Sequence, residues 1–101
     1  MIGIELHPKA ARELSRAMAF YEKRRKGLGH ELIEDVTRTL DRIKESPQTY
    51  REVEKDIRSA QTKRFPYNVL YSLIDESSLI VIAIMHQSRK PGYWINRLKD
   101  M

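Results

Sequence analysis

The stretch that most constrains the fold is Leu79–Met85, an unbroken run of seven apolar residues. A strand with one solvent-exposed face alternates apolar and polar residues, whereas a strand covered on both faces is apolar throughout. We therefore predict that Leu79 to His86 forms a strand in the centre of a β-sheet.

Two further strands are predicted upstream, so that the C-terminal half of the chain forms a three-stranded antiparallel meander. The first runs from Ile57 to Arg64 and is turned by Phe65-Pro66. The second runs from Tyr67 to Ile74, and Asp75–Ser78 form the polar turn that leads into the central strand. After the meander, Gly92–Leu98 predicts a short C-terminal helix.

The N-terminal half predicts a short strand followed by two helices. Apolar residues alternate over Ile2–Leu6 as in a half-buried strand, and Pro8 fits the first turn of a helix. Gly27 and Gly29 separate this helix from a second one, which Ser46-Pro47 ends because proline cannot continue the hydrogen-bond ladder. The apolar stripes, at helical spacing, are Leu14, Ala17, Met18 and Tyr21, then Leu28, Leu32, Val36, Leu40 and Ile43.

The length of 101 residues predicts one domain spanning residues 1–101. Its class is α+β: a short N-terminal strand and an antiparallel helical hairpin packed on an antiparallel sheet that contains the meander. The chain has no cysteine, which excludes disulfides, thiolate zinc sites and cysteine nucleophiles. Because it shows neither an apolar run of about 20 residues nor a signal-peptide pattern, we expect a soluble cytoplasmic protein.

The charge balance is basic, with 19 Lys and Arg against 14 Asp and Glu and a formal net charge of +5. A positive field of this size steers a small domain toward polyanions. An acidic protein partner satisfies the same field, and simple solubility is a third explanation. Net charge alone leaves the three open.

The register of the meander predicts which of its side chains share a face. If both turns are symmetric, Tyr67 lies opposite His86 and Arg64 lies opposite Tyr67. Strand alternation then places one polar and aromatic set on a single face, and a one-residue bulge would scatter it. This set is Arg58, Thr62, Arg64, Tyr67, Tyr71 and His86.

The last third of the chain holds the candidate functional side chains. His86 is a candidate for proton transfer near neutral pH, although a structural histidine is the alternative. Arg64 and Arg89 are candidate phosphate ligands, or partners of a nearby carboxylate. We expect Tyr93 to be exposed and able to stack or donate a proton, and Trp94 to be buried.

Other site signatures are missing from the sequence. It contains no glycine-rich phosphate loop and no Gly-x-Ser-x-Gly nucleophile motif. His7, His30 and His86 are too dispersed to predict a metal site.

Together these segments resemble a known family of bacterial proteins. The segments that carry the resemblance are Pro8 at the start of the first helix, Tyr21-Glu22, Gly27-Leu28-Gly29, Arg64–Tyr71 and His86–Trp94. In their order and spacing they are similar to toxins of the RelE/ParE superfamily, the toxic half of type II toxin–antitoxin modules. The resemblance covers nearly the whole chain.

The resemblance implies two alternative activities, neither of which needs a cofactor or metal. RelE-like members cleave mRNA on the ribosome, and in that case His86, Arg64, Arg89 and Tyr93 are the expected catalytic residues. ParE-like members bind DNA gyrase without chemistry of their own. The Arg64-Phe65-Pro66-Tyr67 turn and the Arg89-Lys90-Pro91 tail are more similar to this ParE or plasmid-stabilisation branch, which we favour.

On the ParE-like interpretation the basic and aromatic residues form an interaction surface. The expected partners are DNA gyrase and a cognate acidic antitoxin that neutralises the positive field. A third alternative is a non-toxic member that only binds the antitoxin as a scaffold. The expected binding residues are Arg58, Arg64, Tyr67, Arg89, Lys90 and Tyr93.

Overall fold

A computed structural model of the chain describes residues 2–100. The order of elements is β1 (Gly3–Leu6), α1 (Pro8–Arg24), α2 (Leu28–Glu45), β2 (Arg51–Glu54), β3 (Ile57–Gln61), β4 (Tyr67–Asp75), β5 (Ser78–His86) and a 3₁₀ helix (Ile95–Asp100). The predicted α+β class is confirmed, although the C-terminal helix is of the 3₁₀ type and starts later than predicted. Within residues 2–100, neither long helix has an apolar stretch of bilayer-spanning length.

The five strands form one sheet in the order β1-β5-β4-β3-β2. β1 runs parallel to β5, and the β2–β3, β3–β4 and β4–β5 pairs are antiparallel, so the sheet is mixed. β5 lies between β1 and β4, and every residue of Leu79–Met85 is buried. The predicted central position of this strand is confirmed.

Two hydrophobic layers cover the two faces of the sheet. Ala10 and Leu32, from the two helices, pack with Val69 and Val81 on one face. On the other face Trp94 packs against side chains of β3, β4 and β5. The residues of this second layer are Ile57, Leu70, Ile80, Ile82, Ala83, Met85 and Trp94, with Tyr93 and Leu98 at its margin.

β2 was not predicted from the sequence. All four of its residues, Arg51–Glu54, are exposed, and three of them are charged. The strand pairs antiparallel with β3 at the edge of the sheet, with an irregularity between Glu52 and Glu54. An edge strand without a buried face has no apolar alternation by which to recognise it, and charged side chains are typical of protected edges.

The observed register confirms one predicted contact and corrects another. Tyr67 is the cross-strand partner of His86, as predicted. The prediction that Arg64 lies opposite Tyr67 is wrong, because β3 ends at Gln61 and the Thr62 N–H donates to the Tyr67 carbonyl at 3.0 Å. Arg64 therefore lies in the β3–β4 loop and outside the ladder.

A bulge is present in β5, but it does not scatter the predicted face. Leu70 pairs with Ala83 and Tyr71 pairs with Val81, which leaves Ile82 as the extra residue. Tyr67 and His86 both lie beyond this point and keep their pairing. Arg58 pairs with Tyr71 on the face that the helices cover, so the set is partly buried and forms no open surface.

The turn between α1 and α2 depends on one carboxylate and two glycines. Glu22 accepts hydrogen bonds from the N–H groups of Gly27 at 2.9 Å and Gly29 at 3.0 Å. Gly27 has a left-handed backbone with φ of 89°. A Cβ at Gly29 would lie 2.7 Å from the Met18 carbonyl oxygen, so the close approach of the two helices requires glycine there.

We expect the Glu22→Gln variant to lose less stability than the wild type when the pH falls from 6 to 3. The Gly27 and Gly29 N–H groups hold the pKa of Glu22 below its ordinary value of 4.5. A carboxylate with a lowered folded-state pKa stabilises the fold above the unfolded pKa, and this contribution is lost as the pH falls through the folded pKa. The difference between the urea midpoints of the wild type and the variant should therefore shrink from pH 6 to pH 3.

The matched control for this prediction is Glu45→Gln at the exposed end of α2. The urea midpoint of this variant should follow that of the wild type across the same pH range. A constant difference between wild type and Glu22→Gln from pH 6 to pH 3 would contradict the role assigned to the Glu22 carboxylate.

Candidate functional site

The loop that carries Arg64 is fixed to α2 by a buried carboxylate. Asp35 is 2% exposed. Its two oxygens accept hydrogen bonds from the N–H groups of Lys63 at 3.2 Å, Arg64 at 2.9 Å and Phe65 at 2.9 Å. Such charge-assisted bonds compensate the cost of burying the carboxylate. The sequence analysis missed Asp35, because nothing local in α2 indicates a contact 30 residues downstream.

The side chain of Arg64 is paired on the helical side of the molecule. Its guanidinium donates to Glu31 Oε1 at 2.7 Å, and Arg25 donates to the other oxygen of Glu31 at 2.9 Å. Arg64, and then Arg25, lowers the pKa of Glu31. Arg64 is thus the cation of a surface ion-pair cluster with Glu31.

One ring nitrogen of His86 is hydrogen-bonded within the protein. The Ser88 backbone N–H donates to His86 Nδ1 at 3.1 Å, and the Ser88 hydroxyl lies 2.8 Å from the same atom. Because a backbone N–H can only donate, Nδ1 is an acceptor, and the neutral ring carries its proton on Nε2. The ring also packs edge-on against Tyr67, with centroids 5.2 Å apart.

Tyr93 is less accessible than the sequence predicted. Its hydroxyl is buried and has no hydrogen-bond partner among residues 2–100. Burial, reinforced by the nearby Glu13 carboxylate, raises the pKa of Tyr93 to about 12. The Arg89 guanidinium lies 3.6 Å from the centre of the Tyr93 ring, a cation–π contact that covers the ring. Trp94 is buried, as predicted.

An ion pair that the sequence analysis missed joins α1 to the C-terminal 3₁₀ helix at the bulge of β5. The Arg97 guanidinium donates to both oxygens of Glu13 at 2.9 Å, and also to the Ile82 carbonyl at 3.0 Å. Glu13 Oε1 in turn accepts the Ile84 N–H at 3.0 Å. Arg89 lies farther away, with one nitrogen 3.7 Å from Glu13. This network satisfies backbone groups on the edge of β5 beyond the end of β1.

A cleft of about 650 Å³ opens on the sheet face that the helices leave uncovered. Its polar lining is largely neutral, from Ser59, Gln61, Asn68 and Gln87, and its cations are Arg51 and Arg89. None of the residues that line it is His, Asp, Glu or Lys. We call it the sheet-face cleft.

A second cleft, of about 260 Å³, lies between α1 and β5. Of the predicted site residues it is lined by Tyr67, His86 and Arg89, and its apolar part is Ala17, Phe20 and Ile84. Burial, and then the nearby Tyr21, raises the pKa of Tyr67 to about 12. We call it the α1–β5 cleft.

The structure therefore divides the predicted site. Tyr67, His86 and Arg89 meet in the α1–β5 cleft, whereas Arg64 lines neither cleft. Arg58 donates to the Tyr50 carbonyl at 2.7 Å. Lys90 is exposed in the loop after β5.

A family model described as "ParE toxin of type II toxin-antitoxin system, parDE" matches residues 4–91. The chain belongs to the ParE toxin family. The resemblance to the RelE/ParE superfamily predicted from the sequence is confirmed. The family match ends before Tyr93 and Arg97. No curated protein matches this ParE family member in sequence.

Two solved structures share its fold. The chromosomal ParDE toxin–antitoxin system of P. aeruginosa aligns with a TM-score of 0.61 and 14% identity, over 85% of this chain and 96% of that one. A mutant of the E. coli toxin RelE in complex with a peptide of its antitoxin RelBc aligns with a TM-score of 0.62 and 17% identity, over 99% of this chain and 94% of that one. At these identities the likeness shows the fold alone.

We expect Asp35→Ala to destabilise the protein strongly. The substitution leaves three N–H groups of the Arg64 loop without their acceptor, and the loss should be about 3 kcal/mol or more of unfolding free energy. Urea denaturation followed by circular dichroism measures it. Asp41→Ala, at an exposed position of the same helix, should change the unfolding free energy by less than about 0.5 kcal/mol. Equal effects of the two substitutions would contradict the anchoring role of Asp35.

Proposed function

We propose that this protein is a ParE-type toxin that arrests growth by binding DNA gyrase, without catalysing a reaction itself. In this proposal it acts in the cytoplasm and is neutralised by a cognate acidic antitoxin. The observation that carries the proposal is the composition of the sheet-face cleft, which offers cations but no side chain for proton transfer at neutral pH.

Cleavage of RNA by its own 2′-hydroxyl requires three groups in one site. A base must accept the hydroxyl proton, a cation must stabilise the charge that develops on the phosphate, and an acid must protonate the leaving oxygen. In the sheet-face cleft Arg51 and Arg89 meet only the second requirement. Tyr50 is also in its lining.

Three of the expected catalytic residues of a nuclease, Arg64, Tyr93 and His86, are separated from the sheet-face cleft or already bonded within the protein. Arg64 is paired with Glu31, and the hydroxyl of Tyr93 is buried. Neutral His86 presents Nε2–H, which is a donor, and its acceptor nitrogen is bonded to Ser88. This arrangement supports a binding function over an enzymatic one.

The antitoxin is proposed to occupy the α1–β5 cleft. Phe20 is 50% exposed there and forms the apolar part of the cleft with Ala17 and Ile84. Arg16 and Arg89 flank this apolar part. A segment that combines apolar and acidic side chains complements such a cleft in both shape and charge.

A RelE-like mRNA endonuclease is the second candidate function. The observation that favours it is the meeting of His86, Arg89 and Tyr67 in the α1–β5 cleft. An imidazole and a guanidinium beside each other are two of the three groups that phosphoryl transfer requires. For this function His86 would have to exchange its Ser88 bonds for a contact with RNA.

The two functions predict different results when the purified toxin is assayed against both targets. We expect inhibition of gyrase supercoiling, while mRNA in cells that express the toxin without antitoxin keeps intact 5′ ends. Ribosome-dependent mRNA cleavage together with undisturbed supercoiling would reject the gyrase proposal in favour of the nuclease. Normal growth on expression of the folded protein would instead indicate a non-toxic scaffold.

The Tyr93→Phe variant tests whether the Tyr93 hydroxyl takes part in catalysis. Within residues 2–100 the buried Tyr93 hydroxyl lies near Glu13 but forms no hydrogen bond of ordinary geometry, so its removal should change the unfolding free energy by less than about 1 kcal/mol. On the gyrase proposal the variant should also arrest growth as the wild type does. Loss of toxicity with an unchanged urea midpoint would mean that the hydroxyl takes part in chemistry.

A further inference from the structure

The net positive charge of this protein comes from one part of the chain. Residues 8–26, which form α1 and the start of the following turn, contain seven Lys and Arg but only two Glu. The remaining residues contain 12 Lys and Arg and 12 Asp and Glu. The whole formal excess of +5 therefore belongs to a single helix and its turn.

Both acidic residues of this segment already have partners. Glu13 holds Arg97 and the Ile84 N–H, and Glu22 holds the N–H groups of Gly27 and Gly29. Within residues 2–100 neither carboxylate forms an ion pair with a cation of α1.

Four of these cations form a stripe along the outer face of α1. Lys9, Arg12, Arg16 and Lys23 are exposed, and within residues 2–100 none of them forms an ion pair. At 3.6 residues per turn they fall within about 60° of arc, and at 1.5 Å per residue they extend over about 21 Å. We call these four residues the α1 stripe.

The N-terminal half of the stripe borders a small cationic cleft. This cleft of about 250 Å³ is lined by Lys9, Arg12, Arg16 and Arg89 and by the Glu13–Arg97 pair. Its lining carries five cations and one carboxylate. Because Glu13 is already bonded twice to Arg97, the cleft keeps a large excess of N–H donors for an anion.

The residues between the cations indicate what kind of anion fits. Ser15 and Ala19 are exposed and small, and the Arg24 guanidinium lies 4.5 Å from the centre of the Phe20 ring, which stays 50% exposed. The four residues of the stripe are themselves all cations, and the exposed apolar side chain beside them, Phe20, lines the α1–β5 cleft. A line of cations without anchors is typical of contact with a phosphate backbone.

We propose that the α1 stripe binds the phosphate backbone of duplex DNA. Its length of about 21 Å corresponds to about six base pairs of B-DNA at 3.4 Å each. The cationic cleft at Arg12 and Arg16 receives one phosphate, and Lys9 and Lys23 contact phosphates toward either end of the stripe. The inference rests on the proposed function in one respect: the DNA is that on which gyrase acts.

Salt dependence of DNA binding by the isolated toxin tests this inference. Fluorescence anisotropy with a labelled duplex of about 24 base pairs, from about 50 to about 200 mM KCl, should give a slope of log K against log salt of about −3 to −4. In the double variant Arg12→Gln and Arg16→Gln, two phosphate contacts are lost, and the slope should shrink by about 1.8. Both side chains are exposed, so circular dichroism should show an unchanged fold.

The charge-matched control is the double variant Lys44→Gln and Lys55→Gln, two exposed positions outside α1. It loses the same net charge and should keep the wild-type slope. Equal loss of slope in both double variants would overturn the proposal, because binding would then follow net charge alone. Absence of DNA binding at 50 mM KCl, with tight binding of poly-glutamate, would overturn it in favour of an acidic protein on this face.

The outcome is independent of the gyrase assay, because the binding measurement contains no gyrase. DNA binding through α1 without inhibition of supercoiling would uphold this inference and reject the proposed function. An unchanged salt slope in Arg12→Gln, Arg16→Gln, with supercoiling still inhibited by the wild type, would reject this inference and leave the gyrase proposal intact.

Discussion

The structure depends on the need to cover both faces of β5. Both faces of this strand are apolar over Leu79–Met85, so other parts of the chain must bury every residue of the run. β1 and β4 flank the strand, the helical hairpin covers one face, and Trp94 with its neighbours covers the other. Segments from both ends of the chain thus meet on one strand.

The Glu13–Arg97 pair ties these segments together where β5 is irregular. The bulge at Ile82 turns carbonyl and N–H groups outward at an edge that β1 no longer covers, and unpaired groups of this kind are costly or invite pairing with other strands. Glu13 and Arg97 bind them from opposite layers of the molecule. Arg97 therefore fixes the C-terminal segment and with it Tyr93. The Tyr93 ring forms cation–π contacts with the guanidinium groups of Arg89 and Arg97.

The sequence predicts those elements of the fold whose apolar residues recur at a regular spacing, or whose ends are marked by glycine or proline. The apolar run of β5, the stripe of α2, the stripe of α1 apart from Met18, which is 40% exposed, and the opposition of Tyr67 and His86 follow from spacing. β2 does not, because an exposed edge strand has no apolar period. The position of Arg64 depends on Asp35, and that of Arg97, which lies beside Tyr93, on Glu13, across 29 and 84 residues respectively, and no local pattern records such contacts.

The same long-range contacts decide how the candidate site can work. Proton-transfer groups and phosphate-binding cations must face one another for catalysis, since each acts only within hydrogen-bond reach of the reacting atoms. Here the sheet-face cleft is neutral apart from two arginines, and the excess positive charge lies on α1. β5 and its covering layers separate α1 from the sheet-face cleft, and Arg89 is the residue that lines the cleft on either side. Arg16 borders both the α1–β5 cleft proposed for the antitoxin and the α1 stripe proposed for DNA, so on these proposals the two ligands compete for one side of the molecule.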